Sequence, residues 1–264
     1  MTDPPIATSS TQEDLGGGFL FLQRPGGQSI IVATSLSDCG AVGIMTPASV
    51  NARGDGALRS WLIAWGYPKD SVLREVQQLH GNDVVPAALL SEGRAVGADG
   101  IWTNSRRDML VVRSADCAAL WLVEPQARLL GMAHAGWRGV DAGIIPSLVD
   151  ALQHAGAAAV RMQVAVGPHI GPCCFEVGPE VAERFIDYAG AIQPADFLRG
   201  ARKNRDSVAL DLSAAIVADL QSSGIPLDSI SMSKACTRCR DDVFHSYRRN
   251  GPGGPLMASL GALL

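Results

Sequence analysis

No apolar run in this 264-residue chain reaches the roughly 20 residues that a membrane-spanning helix needs, which excludes a helical membrane protein. The opening Met1-Thr-Asp-Pro-Pro-Ile-Ala-Thr-Ser-Ser10 has neither a basic nor an apolar segment. It does not read as a secretory signal, and cytoplasmic residence is the default expectation. Positive charge is also in short supply. With 22 Lys and Arg against 26 Asp and Glu, the formal charge of −4 leaves no electrostatic footprint for nucleic acid and favours solubility. No Gly-x-Gly-x-x-Gly joins a strand to a helix, which argues against a dinucleotide-binding fold. Internal repeats and interdomain linkers are absent too. The expectation is a flexible, polar tail over residues 1–18 and a single domain over residues 19–264, long enough for a large core. Composition leaves a monomer and a small homo-oligomer equally open.

Histidine is scarce, at five residues, yet two histidines sit in similar settings to one cysteine: Gln-Leu-His80-Gly, Ser-Ala-Asp-Cys117 and Ala-His134-Ala-Gly-Trp-Arg-Gly. Each lies where an apolar run gives way to small residues or glycine, and strand ends are where rigid scaffolds present reactive groups. Two imidazoles and a thiol suit Zn²⁺, and three ligands leave the fourth tetrahedral position for water or substrate. The same atoms also fit a second chemistry, in which Cys117 is a nucleophile activated by His134. The six cysteines do not suggest disulfides, because a chain this long in a reducing compartment needs none. Cys236-Thr-Arg-Cys239 has the spacing of half a zinc site or a redox pair, but its other half would be Cys173-Cys174, whose adjacency suits two tetrahedral ligands poorly.

Gly136-Trp-Arg-Gly139 lies between an expected strand and a helix expected over Val140–His154, so its N–H groups and the Arg138 guanidinium together favour phosphate or carboxylate. Arg24, in a glycine turn, and Arg248, after Phe244-His-Ser-Tyr247, suit the same pocket, and His245 is a candidate proton carrier. Asp99 and Asp116 read as groups that hold a turn or orient a histidine ligand. His154 and His169 have weaker claims. Strand patterns at Phe19–Leu22, Ile30–Ala33, Val72–Val76, Ile101–Thr103, Leu110–Val112, Ala119–Val123, Leu129–Ala133, Met162–Val166 and Val208–Leu210 alternate with helical ones. The helical patterns are Ala57–Trp65, Val140–His154, Pro179–Tyr188 and Ser213–Ser222. The alternation predicts an α/β or α+β protein with a large mixed sheet and helices outside it.

Six segments occur in the order of one family: Gln78-Leu-His-Gly81, Ala98-Asp-Gly-Ile-Trp-Thr103, Ser114-Ala-Asp-Cys117, Ala133-His-Ala-Gly-Trp-Arg-Gly139, Gly167 through Val177, and Cys236 through Arg249. From about Arg24 onward the chain resembles the bacterial YfiH/YlmD-type family, named laccase-domain or multicopper polyphenol oxidase proteins and also described as purine nucleoside phosphorylases. The resemblance implies a layered α/β/β/α sandwich and a metal site at His80, Cys117 and His134, with Zn²⁺ as the ion and Cu²⁺ as the alternative. It implies one catalytic domain that takes a nucleoside and phosphate, with phosphorolysis of adenosine, inosine or methylthioadenosine and adenosine deamination as activities. Cys117, His134, Arg24 and Arg138 would be catalytic, and Arg24, Arg138, Arg248 and His245 substrate-binding. A cysteine hydrolase acting on an amide, such as a mis-made peptidoglycan precursor, is the alternative. Polyphenol oxidation fits poorly with five scattered histidines. The chain departs from the family pattern at Ser37, in place of an asparagine, at Ala118, in place of a proline, and at Pro255, in place of an arginine. These departures bear on substrate specificity.

Overall fold

The computed structural model describes residues 11–23, 28–67, 70–90, 96–186, 198–199 and 207–264. Its first sheet runs, in spatial order, β1 (Thr11–Gly16), β2 (Phe19–Gln23), β3 (Ser29–Ala33), β4 (Ala41–Met45), β16 (Met257–Leu263), β8 (Asp108–Ser114) and β5 (Val72–Glu75). The second runs β15 (Ile230–Met232), β11 (Gln163–Val166), β9 (Ala118–Glu124), β10 (Leu129–Ala135), β7 (Gly100–Thr103) and β6 (Val84–Pro86). A small third sheet is β12 (Glu176–Val177), β14 (Val208–Leu210) and β13 (Leu198–Arg199). The helices are α1 (Asp55–Ala64), α2 (Trp137–Asp141), α3 (Ile144–His154), α4 (Pro179–Ile186), α5 (Leu212–Ser222) and α6 (Tyr247–Asn250). Both large sheets are mixed, with parallel pairs at β5–β8, β6–β7 and β11–β15.

Alternation along the strands builds the layers, since successive side chains point to opposite faces of a sheet. Leu110 and Val112 of β8, Ala119, Trp121 and Val123 of β9, and Leu130 and Met132 of β10 meet between the two sheets. Met109 and Val111 face the other way, toward Leu58, Trp61 and Leu62 of α1. Leu120, Leu122, Leu129 and Ala133 face α3 and α5 on the far side. The result is the α/β/β/α sandwich that the resemblance implies, with two large mixed sheets where the strand pattern alone predicts one.

Three features depart from the sequence expectation. Residues 11–16, expected within a flexible tail, form β1 and pair antiparallel with β2 from Thr11↔Gln23 to Asp14↔Leu20. The turn back uses Gly16, Gly17 and Gly18, at φ of 77°, 60° and 76°, and Leu15 is buried. An edge strand takes its order from its partner and from one buried anchor, so a polar composition does not preclude it. The helix expected over Val140–His154 is two helices, α2 and α3, parted at Gly143 with φ 86°. Pro146 explains the break, because a continuous helix would set its ring against the carbonyl of Ala142. Strands β4 and β16, central to the first sheet, carry glycines at matching positions, with Gly43 opposite Gly261. A Cβ at Gly261 would lie 2.9 Å from both Met132 Sδ and Trp121 Cδ1, so this glycine makes room for the intersheet core.

Candidate functional site

Strand direction gathers the site. Because β5 and β8 are parallel, both leave the first sheet at the same end, and each then crosses to the second sheet, β5 to β6 and β8 to β9. His80 lies in the first crossover and Cys117 in the second, a three-residue turn. β10 is antiparallel to β9, with Ala135 opposite Ala118, so its C-terminal end reaches the same edge and presents His134 on the intersheet face shared by Leu130 and Met132. The donor atoms of His80, Cys117 and His134 all lie within 4.8 Å of one another. The two imidazoles meet edge to face, with centroids 4.7 Å apart.

Two buried carboxylates hold this convergence. Asp99, 1% exposed, accepts from the backbone N–H groups of Leu79 and Gly81 through Oδ2, at 3.0 and 2.7 Å, and bonds His134 Nδ1 through Oδ1 at 2.8 Å. Those bonds pin His80 at φ 61°, a region that costs an L-residue about 1 kcal/mol or more. They also leave Nε2 as the His134 nitrogen that faces Cys117. Asp116, at φ 84°, accepts from Thr237 Oγ1 at 2.5 Å, Ser246 Oγ at 2.9 Å and the Arg248 N–H at 2.7 Å, which fastens the C-terminal segment against the Cys117 turn. Gln78 ties the His80 crossover to β8 by exchanging two bonds with the Arg113 backbone, at 2.7 and 2.8 Å. Gly136 is required here, since a Cβ would lie 2.7 Å from Cys117 Sγ.

Electrostatics couples the three groups. Burial pushes the Cys117 thiol up, but the His134 charge and hydrogen bonds from His134 and His80 outweigh it and bring the pKa down to about 6. Burial likewise pulls His134 down, and the Cys117 charge with the Asp99 hydrogen bond raises it to about 9. Each charge therefore favours the ionised form of the other, the thiolate of Cys117 and the imidazolium of His134. Two imidazoles and a thiolate at this spacing fit a borderline-soft divalent ion, and all three residues line a cavity of about 650 Å³.

Arg138 and Arg248 line that cavity, as expected. Arg138 stacks on Trp137 at 4.4 Å, and Arg248 lies 5.3 Å over Phe175 while donating to the Glu176 carbonyl at 2.9 Å. His245 is not brought there. Its ring hydrogen-bonds the backbone of Val50, burial lowers its pKa, and it does not line the cavity where substrate binding is expected of it. Ser246 turns toward Asp116, which leaves its neighbour pointing to the opposite side. Arg24 lies outside the described residues. Ser37 bonds the Thr34 carbonyl away from the cavity. His169 is buried between the Gly167 carbonyl and Ser213 Oγ, and His154 is exposed at a helix end. The sequence reading missed the walls: Trp137, Phe175, Leu212, Tyr247 and the ion pair of Arg113 with Glu75, whose Oε2 lies 2.8 Å from Nη2. Arg113 was findable as the charge that directly follows the apolar run Met109–Val112 within β8, whereas no spacing signals the aromatics.

Residues 21–262 match the family described as multi-copper polyphenol oxidoreductase laccase. The chain belongs to that family. Among its relatives, purine nucleoside phosphorylase YlmD of Geobacillus stearothermophilus is 33% identical over 197 residues, covering 70% of each chain. The crystal structure of YlmD from that organism superposes with a TM-score of 0.80 at 26% identity, over 96% of this chain and 98% of that one. Purine nucleoside phosphorylase SCO2081 of Streptomyces coelicolor is 33% identical over 247 residues, 91% of this chain and 93% of its own. Adenosine deaminase RL5, from an unknown prokaryotic organism, is 35% identical over 160 residues, 61% of this chain and 60% of its own. Family members thus carry names for two reactions on purine nucleosides.

Proposed function

We propose that this protein is a zinc-dependent purine nucleoside phosphorylase, and the observation that carries the reading is the convergence of His80, Cys117 and His134 at the floor of a cavity walled by aromatics and arginines. Three relatives named for purine nucleoside chemistry support it. Zn²⁺ bound there supplies Lewis-acid polarisation of an adjacent substrate atom. The protein's own groups do the rest. Trp137, Phe175 and Tyr247 offer apolar faces for the purine, while Arg138 and Arg248 hold phosphate by charge-assisted hydrogen bonds. A phosphate oxygen forms its bond to ribose C1′ as the C1′–N bond breaks, and the electron pair leaves with the purine. Positioning and positive potential both act on that step. Deamination of adenosine in the same cavity is a further activity of this reading. Among the described residues only one cluster contains histidine, which speaks against multicopper electron transfer.

A second reading rests on one alignment. Asp99, His134 and Cys117 form a carboxylate–imidazole–thiol series with the thiol at a pKa of about 6, the arrangement of a cysteine hydrolase acting on an amide. A thiolate held by zinc is a poor free nucleophile, so the zinc that is lost on Cys117→Ala, and not the total metal content, separates the two. The test is elemental analysis of protein purified without a metal-affinity tag, followed by incubation with adenosine and inosine, with and without phosphate, read by chromatography. Phosphate-dependent base release is expected. Cys117→Ala should lose zinc from this site and all turnover while keeping its circular dichroism spectrum. Base release that survives Cys117→Ala overturns the reading, and a nucleoside-inert protein with no metal on His80, Cys117 and His134 favours the hydrolase.

A further inference from the structure

A second cluster of thiols lies behind the cavity wall. Cys173 and Cys174 sit in a turn closed by the Cys174 and Phe175 N–H groups on the Gly171 carbonyl, at 2.9 and 3.0 Å. Cys236 and Cys239 lie on the segment that pairs with His169, where the Thr237 N–H donates to the His169 carbonyl at 3.1 Å. All four Sγ atoms fall within 4.8 Å of one another, and Cys239 Sγ is 3.6 Å from Cys173 Sγ and 3.4 Å from Cys174 Sγ. Bonded sulfurs stand about 2.05 Å apart. Four sulfurs at a Zn–S distance of about 2.3 Å form a tetrahedron with edges of about 3.8 Å, close to the separations seen here. Adjacent cysteines diverge only on an extended strand. The turn at residues 171–175 is not extended, and it brings both sulfurs to one side.

The surroundings are those of a thiolate ligand set. The Gly171 N–H donates to Cys236 Sγ at 3.3 Å, and the Cys239 and Arg238 N–H groups also bond it. Burial raises the Cys236 pKa, and these donors outweigh burial and lower it. The neighbours fare differently: Cys239 is pushed up to about 11, first by its bond with Cys174, and Cys173 is raised first by burial and then by Cys236 and Cys239.

We propose that Cys173, Cys174, Cys236 and Cys239 hold a structural Zn²⁺ ion that clamps the two segments forming one side of the cavity. With four protein ligands it has no open position for chemistry. One clamped segment carries Ile170 and Phe175 into the cavity wall, and the other is bound by Arg249, through the Thr237 and Arg238 carbonyls, next to Tyr247 and Arg248.

The test uses Cys117→Ala protein, so that the first cluster lacks its thiolate. It is loaded with Zn²⁺ under reducing conditions, dialysed, and analysed for metal. Retention of about one zinc per chain is expected, and loading with Co²⁺ should give the intense sulfur-to-cobalt absorption of a tetrahedral four-thiolate site. Adding Cys239→Ser should remove the retained ion and lower the melting temperature. Two results overturn the proposal: Cys117→Ala protein that stays metal-free with the cluster thiols titratable, or a cluster recovered as a disulfide. Neither touches the phosphorylase reading, which rests on other residues.

Discussion

Asp99 uses both carboxylate oxygens, one on the backbone of the His80 turn and one on His134 Nδ1, so a single side chain orients both imidazoles. Its pKa is lowered: burial opposes ionisation, but the His134 bond and the Gly81 and Leu79 N–H groups prevail. Asp99→Asn keeps the shape yet cannot accept in the same way from both partners. We expect zinc affinity at His80, Cys117 and His134 to fall about 10- to 100-fold, with the fold intact by circular dichroism. Unchanged affinity would refute the positioning role. In the sequence, Gly-Ala-Asp99-Gly reads equally well as a turn cap, because a carboxylate's partners 18 to 35 residues away leave no local pattern. His80, Cys117 and His134 were legible because chemistry restricts which residue types can bind a metal. The position of His245 outside the cavity lining was not legible, since adjacency to Tyr247 and Arg248 does not decide which way a ring turns.

At the level of elements, apolar patterning located β2, β3, β5, β14 and the run from β7 to β11, together with α1, α4 and α5. It missed β4 and β16, whose glycines resemble turn punctuation until Trp121 is seen filling the space above them. The β9–β10 turn offers a test of local energetics. Glu124, fully buried, accepts from the Ala127 N–H at 2.7 Å, Arg161 Nε at 2.8 Å and the Gln126 N–H at 3.3 Å. Burial raises its pKa, but the Arg161 and backbone bonds lower it further than burial raises it. A depressed folded-state pKa contributes stability above the unfolded value of about 4.3, lost as pH falls through the folded value. Glu124→Gln should therefore cost about 1–3 kcal/mol at pH 7, and the gap should close in acid. Denaturant titrations at both pH values check this, and a gap that widens in acid contradicts it.

For the molecule as a whole, Trp121 is the joint between the sheets, fully buried, 6.1 Å from Phe19 and donating from Nε1 to the Leu260 carbonyl at 2.9 Å. Trp121→Ala should destabilise the protein by about 3–5 kcal/mol, measured as a shift in the denaturant midpoint. A loss below about 1 kcal/mol would mean that the sheets do not depend on this contact. The sequence by itself determined most of the strands and helices and singled out His80, Cys117 and His134 as a candidate trio, because periodicity and donor chemistry are properties of short segments. Only the tertiary structure decided that two sheets stack, that the parallel β5–β8 pair sends both crossovers to one edge, and that four cysteines from two distant segments share one volume. Those facts depend on strand direction and on which backbones lie side by side, and neither is written in any local stretch of residues.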